Sequence, residues 1–149
     1  MRGLWEGLMG TVMTREEVVR FLDTEFPEIN YDGPIYKLDH VGENEVVVRL
    51  SAGARHLRPG GTVSGPSMMA LADLAAYTVI LAHIGPIALA VTTNLNINFL
   101  RKPEPGDLLA TGHLLKLGKR LAVTECTITS VGDDEIVAHA TATYSIPPR

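Results

Sequence analysis

The chain has 149 residues, of which 46% are hydrophobic and 20% charged, with a formal net charge of -4 at pH 7. That balance describes an ordinary globular domain and excludes an intrinsically disordered chain. No basic block stands out, so no nucleic-acid partner is expected, although a few local cations suffice to hold an anionic ligand.

Cys126 is the only cysteine. It excludes an intrachain disulfide and fits a reducing, cytoplasmic setting. As a lone thiol it reads as a small buried hydrophobe rather than a nucleophile. The opening MRGLWEGLMG has neither a long apolar segment nor a cleavage site, so no secretory signal is expected. The most apolar run, residues 68–82, is interrupted by Asp73 and falls short of the roughly 20 residues a membrane span needs. It reads as a core helix, with no membrane partner.

Residues 1–30 are expected to form an N-terminal helical segment ahead of a single domain at 31–149. Thr14 with Glu17 makes a capping box, Val18, Val19 and Leu22 make an apolar stripe, and Pro27 marks the end. This segment is expected on the outside of a sheet or on a partner, in preference to covering a ligand mouth. Residues 35–41 and 45–50 read as a hairpin around Gly42-Glu43-Asn44, with Val46, Val48 and Leu50 on one face. A long Gly-rich loop follows, carrying His56 and Arg58, and ligand groups often sit on such loops. His56 reads there as a surface histidine.

Residues 60–83 organise the rest. Ser64 fits a helix cap or a substrate contact, and Pro66 suits the first turn. The helix is apolar all round and is therefore expected to be buried all round, with Ala70, Ala72, Ala75 and Ala76 permitting close neighbours. Asp73 is its one carboxylate. A buried carboxylate needs partners or a shifted pKa. It reads either as an Asp bonded to backbone amides or hydroxyls, or as a general base or nucleophile at the edge of an apolar cavity. Gly65 leaves room for a ligand to approach the backbone, and helix N-terminal amides can stabilise a developing oxyanion.

His83-Ile84-Gly85-Pro86 stops the helix. Residues 89–99 alternate strictly, placing Leu89, Val91, Thr93, Leu95, Ile97 and Phe99 on one face. Ala88, Ala90, Thr92, Asn94, Asn96 and Asn98 fall on the other. Strands at 107–117, 121–131 and 135–146 complete the sheet, joined by Gly118-Lys119-Arg120 and Gly132-Asp133-Asp134. The Ala138, Ala140 and Ala142 face of the last strand suits close approach of the helix. Short connections favour antiparallel pairing. The fold class is α+β, with a sheet curled around the helix or a sheet plus a dimer contact.

Two stretches, GGTVSGPSMMALAD at 60–73 and AVTTNLNINFLRKPEPGDLLATGHLLKLGKRLAVTECTI at 90–128, resemble the PaaI-like acyl-CoA thioesterases of the hotdog-fold superfamily. The resemblance covers about residues 45–145. It is most specific at the LAD triplet ending in Asp73, at NINFLRKP (96–103) and at LGKR (117–120). It implies a curved antiparallel sheet around a central helix, dimers commonly paired into tetramers, and hydrolysis of acyl-CoA. It further implies Asp73 as general base or nucleophile, Gly65 as backbone oxyanion donor, and Thr92 as a hydroxyl that helps place water. The pocket is then expected between subunits, Gly65 of one facing Asp73 of the other. Ser64-Gly65-Pro66 stands where many relatives carry His-Gly-Gly, and Arg58 where many carry Asn or Gln.

On this reading Arg58 and Ser64 are candidate substrate contacts. Met68, Met69, Leu74 and Tyr77 are candidates for the acyl tail, and Arg101, Lys102, Lys119 and Arg120 for the CoA phosphates. No cofactor is expected. The histidines are dispersed without metal-ligand spacing, and no Gly-rich phosphate loop with its lysine is present. The rival reading is a non-catalytic acyl-CoA-binding or assembly protein on the same scaffold.

Overall fold

Ser64 opens the helix around which everything else is placed. In the computed structural model, which describes residues 10–148, its hydroxyl accepts from the Ser67 amide and caps helix α2, Gly65–Ile84. Gly85, at φ 103, ends that helix in a conformation that favours glycine. Ahead of it come α1, Arg15–Glu25, a 3-10 turn at Pro27–Asn30, strands β1, Tyr36–Gly42, and β2, Glu45–Leu50, and a second 3-10 turn at Ala54–His56. After it come β3, Val91–Phe99, β4, Leu108–Leu117, β5, Leu121–Ser130, and β6, Ile136–Ser145.

The six strands form one antiparallel sheet in the order β1-β2-β4-β5-β6-β3. The turn from β1 to β2 is tighter than expected: Gly42 still belongs to the strand, and Glu43-Asn44 makes the reversal with Asn44 at φ 51. Asn44 also ties hairpin, sheet and helix together. Its side chain brackets the Leu114 amide and carbonyl, and its own amide donates to His83 Nε2 at 3.0 Å.

α2 lies against the sheet. Ala138, Ala140 and Ala142 are buried beneath it, as the small side chains of β6 imply. The two come close at Gly112 of β4, where a Cβ would stand 3.3 Å from the Ala75 carbonyl oxygen and from Val46. Cys126, paired in register with Gly112 and Ala140, is buried there, and that burial pushes its thiol up to about 12. Spanning 20 residues, α2 is long and apolar enough to cross a membrane by length and composition, but most of it is buried in this core.

Two expectations need correction here. α2 is not buried all round: Pro66, Met69 and Ala70 are exposed and Asp73 is half-buried, a stripe at helical spacing that nothing among the described residues covers. β3 does not keep a single alternation. Its register against β6 slips between Thr92 and Asn94, so Thr93 is the extra residue of a bulge. The strand is also the edge of the sheet, and Val91 and Phe99 are exposed.

α1 begins on the expected Thr14–Glu17 capping box and buries Val18 and Leu22. Arg15 Nε anchors it to the Leu38 carbonyl at 2.7 Å. The expectation about a secretory signal rests mainly on residues 1–9, which lie outside the described residues.

Candidate functional site

The bulge decides what meets Asp73. Strict alternation from Leu95, which faces the helix opposite Ala142, would turn Thr92 outward. The extra residue at Thr93 reverses the parity, and Thr92 pairs instead with Tyr144 on the helix side. There Thr92 Oγ1 donates to Asp73 Oδ1 at 2.6 Å. The Tyr144 hydroxyl stands 2.8 Å from the same oxygen and 3.1 Å from the Asp73 backbone carbonyl. Asp73 Oδ1 is thus held by two hydroxyls. No hydrogen bond engages Oδ2 among the described residues.

Burial, reinforced by the Asp73 charge, raises the Tyr144 phenol far above the ordinary tyrosine range. It is therefore a donor at any working pH. Sequence reasoning placed Tyr144 only on the core face of β6. The available signal was its polar tip: a buried tyrosine hydroxyl needs a partner, and α2 offers one carboxylate on that side.

These three residues border a pocket of about 520 Å³. Leu74, Tyr77, Tyr36, Ala88 and Ala90 give it an apolar wall, and Phe26 and Ile29 close it from the N-terminal segment. The end of the N-terminal segment therefore lines the pocket, with Phe26 packed edge-on to Tyr77 at 6.1 Å. Tyr77 in turn stacks on Tyr144 at 6.2 Å and donates to the Ala88 carbonyl at 3.0 Å. Burial raises the Tyr36 and Tyr77 hydroxyls above their usual value as well.

The remaining sequence candidates divide. Tyr77 and Leu74 line the pocket; Met68 is in the core and Met69 on the exposed stripe, and neither lines it. Ser64 is spent on capping, its hydroxyl 2.9 Å from that of Ser67. Gly65 stands at the first helical position, and no hydrogen bond engages its amide among the described residues. The space its missing side chain leaves is occupied: a Cβ there would meet the Phe99 ring at 3.3 to 3.7 Å.

Arg58 sits at an exposed turn closed by its hydrogen bonds with Thr62 and Gly61, away from the pocket wall. His56 is not a surface residue. It is 6% exposed, and its Nδ1 accepts from the Gly53 amide at 2.9 Å, folding the loop back on itself. The cations lie at two ends of the sheet. Arg101 follows β3, bonds through its backbone to Val137 and pairs with Glu135. Lys119 and Arg120 are exposed beside Leu121, which pairs with Ser145, itself opposite Val91 where β3 begins.

Residues 60–137 match the thioesterase superfamily model. A crystal structure from Silicibacter sp. TM1040, described as a candidate thioesterase, is 49% identical, covers 94% of this chain and 96% of its own, and superposes with a TM-score of 0.85. The phenylacetic acid degradation protein PaaI of Thermus thermophilus is 26% identical over 75% of this chain and 93% of its own, with a TM-score of 0.65. A Caenorhabditis elegans protein described as a candidate esterase is 25% identical over 127 residues, 85% of this chain and 73% of its own. The helix-and-sheet core is a hotdog fold, and the chain belongs to the thioesterase superfamily. Within that superfamily it is a member of the PaaI-like family, whose general chemistry is hydrolysis of acyl-thioester-type substrates.

Proposed function

We propose that this protein hydrolyses acyl-CoA thioesters in the cytoplasm, at a site completed by a second copy of the chain. The observation that carries the reading is Asp73 on the pocket wall, with Oδ1 fixed by Thr92 and Tyr144 and Oδ2 unengaged among the described residues. A carboxylate with one oxygen held and one free suits either removal of a proton from water or direct attack on the thioester carbonyl.

Asp73 lies eight positions beyond Gly65, about 12 Å along a helix that rises about 1.5 Å per residue. One carbonyl cannot touch both groups of the same chain. The exposed stripe of α2 and the unpaired edge of β3 supply a surface for a second copy, whose Gly65 amide then binds the carbonyl oxygen. Antiparallel apposition of two β3 edges also carries Arg101 of one copy toward Lys119 and Arg120 of the other, gathering cations for the CoA phosphates. Such a pair can associate further into a dimer of dimers.

In the general-base route, the water oxygen attacks the carbonyl carbon and its proton passes to Asp73 Oδ2. Negative charge collects on the oxygen at Gly65. The intermediate then collapses, the C–S bond breaks, and the Asp73 carboxyl returns the proton to the departing sulfur. The products are free acid and CoA.

The test is release of free thiol across short, branched, aryl and long acyl-CoAs. Asp73→Asn should stay folded and lose turnover by about 10² to 10⁴. Near-wild-type release by that variant would reject the role of Asp73.

A further inference from the structure

Below α1 lies a second cavity of about 130 Å³, between that helix, β1, β2 and α2. Ile29, Tyr36 and Leu74 line both this cavity and the pocket over Asp73. The two spaces therefore share three side chains of their walls, one of them the immediate neighbour of Asp73. We propose that the second cavity is a distal subsite that receives the far end of a saturated acyl chain whose thioester is held at Asp73. This rests on the acyl-thioester reading of the first pocket.

The lining argues for the chemistry of the guest. Beyond the shared side chains, the walls are Val19 and Leu22 of α1 with Leu38 and Val48 of the sheet. Asp23 and Lys37 also border the cavity but are exposed, and its uncharged polar groups are already spent. Thr78 donates to the Ala75 carbonyl at 3.1 Å, and the Asn30 amide brackets the Tyr36 backbone at 2.7 and 3.1 Å. Water needs two or more polar partners to be well held, so such a space favours an apolar guest. Arg15 is tied by its Nε to the Leu38 carbonyl. An aryl group ends in the first pocket; a flexible chain can thread past Ile29 and Leu74.

The partition also gives the N-terminal segment a role in substrate choice. Ile29 belongs to the 3-10 turn after α1 and is only half-buried, so it can yield to a chain without breaking the core. Leu74 is part of the helix core and cannot move as cheaply.

Binding is measured by calorimetry on the Asp73→Asn protein with acetyl-, hexanoyl- and decanoyl-CoA, so that hydrolysis does not enter the readout. Each methylene that enters apolar space should tighten binding about fourfold, the ratio that corresponds to about 0.8 kcal/mol. Val19→Phe, which fills the cavity from α1, should lower the decanoyl-to-acetyl affinity ratio at least tenfold. Ile29→Ala, which thins the partition, should raise it. Retention of the wild-type length profile in both variants overturns the subsite, as does an affinity that does not rise with chain length. Hydrolysis that persists in Asp73→Asn counts against its catalytic role instead and is read separately, by thiol release. Failure to bind acyl-CoA of any length overturns the acyl-thioester reading and the subsite with it.

Discussion

Tyr144 meets Asp73 twice, at the carboxylate oxygen Oδ1 and at the backbone carbonyl of the same residue, 2.8 and 3.1 Å away. One phenol therefore fixes both the side-chain rotation and the helix position of the proposed base. Tyr144→Phe keeps the ring stacked on Tyr77 and removes only the donor. A hydrogen bond to a charged group is worth about 1.5–3 kcal/mol, so kcat should fall roughly tenfold to a hundredfold with KM little changed. Thr92→Val removes the other donor to Oδ1, and the two effects should be non-additive because they act on one atom. Steady-state kinetics of the single and double variants check this. A kcat within twofold of wild type in Tyr144→Phe would remove Tyr144 from the machinery.

The glycine at the start of α2 has a second reason to be glycine. Gly65 reads from sequence as an opening for the ligand, yet the opening is filled by Phe99. Alanine there would gain helix propensity of up to about 1 kcal/mol and would push the ring by a few tenths of an ångström. The two effects oppose each other, so Gly65→Ala should change the melting temperature by only about 2–4 °C. Turnover should fall more than stability does, because the displaced ring packs against the residue whose amide is proposed to hold the oxyanion. Adding Phe99→Leu, which shortens the obstruction, should restore part of the rate. Equal rates in the single and double variants would uncouple the two positions.

The elements themselves were legible in the chain. Capping box, hairpin, central helix and three closing strands follow from spacing and turn residues, and their observed ends fall within a residue or two of expectation. What alternation could not reveal is a change of phase. Thr93 looks like any other residue of the strand in VTTNLNINF, and a bulge carries no obvious mark when its residue is not glycine. Taken at face value the pattern separates Thr92 from the helix; the resemblance placed it near Asp73, and the bulge supplies the physical route. The exposed stripe of α2 was hidden for another reason. Met69 and Ala70 are apolar, so composition cannot tell a face buried by this chain from one left for another.

His56 gives the loop before α2 a pH dependence. Its burial, aided by the nearby Arg55 charge, holds the imidazole below the ordinary histidine value. The unfolded chain then takes up a proton on acidification before the folded one does. Stability is fully present above about pH 6.5 and is lost as pH falls from there toward the lowered folded value. For one proton the slope approaches about 1.4 kcal/mol per pH unit. His56→Asn keeps an acceptor for the Gly53 amide but cannot titrate. Denaturant unfolding at pH 7.5, 6.5 and 5.5 should show a shallower acid loss in the variant. Parallel curves for the two proteins would count against a buried neutral imidazole.

Met69 tests whether the uncovered stripe is the subunit contact. It is 42% exposed, stands one helical turn before Asp73, and lines neither the pocket over Asp73 nor the cavity beneath α1. A charge there costs the single chain little, since the side chain already reaches solvent. At an interface the same charge would be desolvated without a partner, at a cost of several kcal/mol. Met69→Glu should therefore leave the far-ultraviolet spectrum and unfolding cooperativity of the isolated fold intact while shifting the sedimenting species from dimer to monomer. Turnover should disappear with the proposed dimer, because each Asp73 then lacks the neighbouring Gly65 amide proposed to complete the site. Partial activity should return as protein concentration is raised. A monomer that hydrolyses thioesters at the wild-type rate would place the whole oxyanion contact within one chain, and with it a different carbonyl position over Asp73.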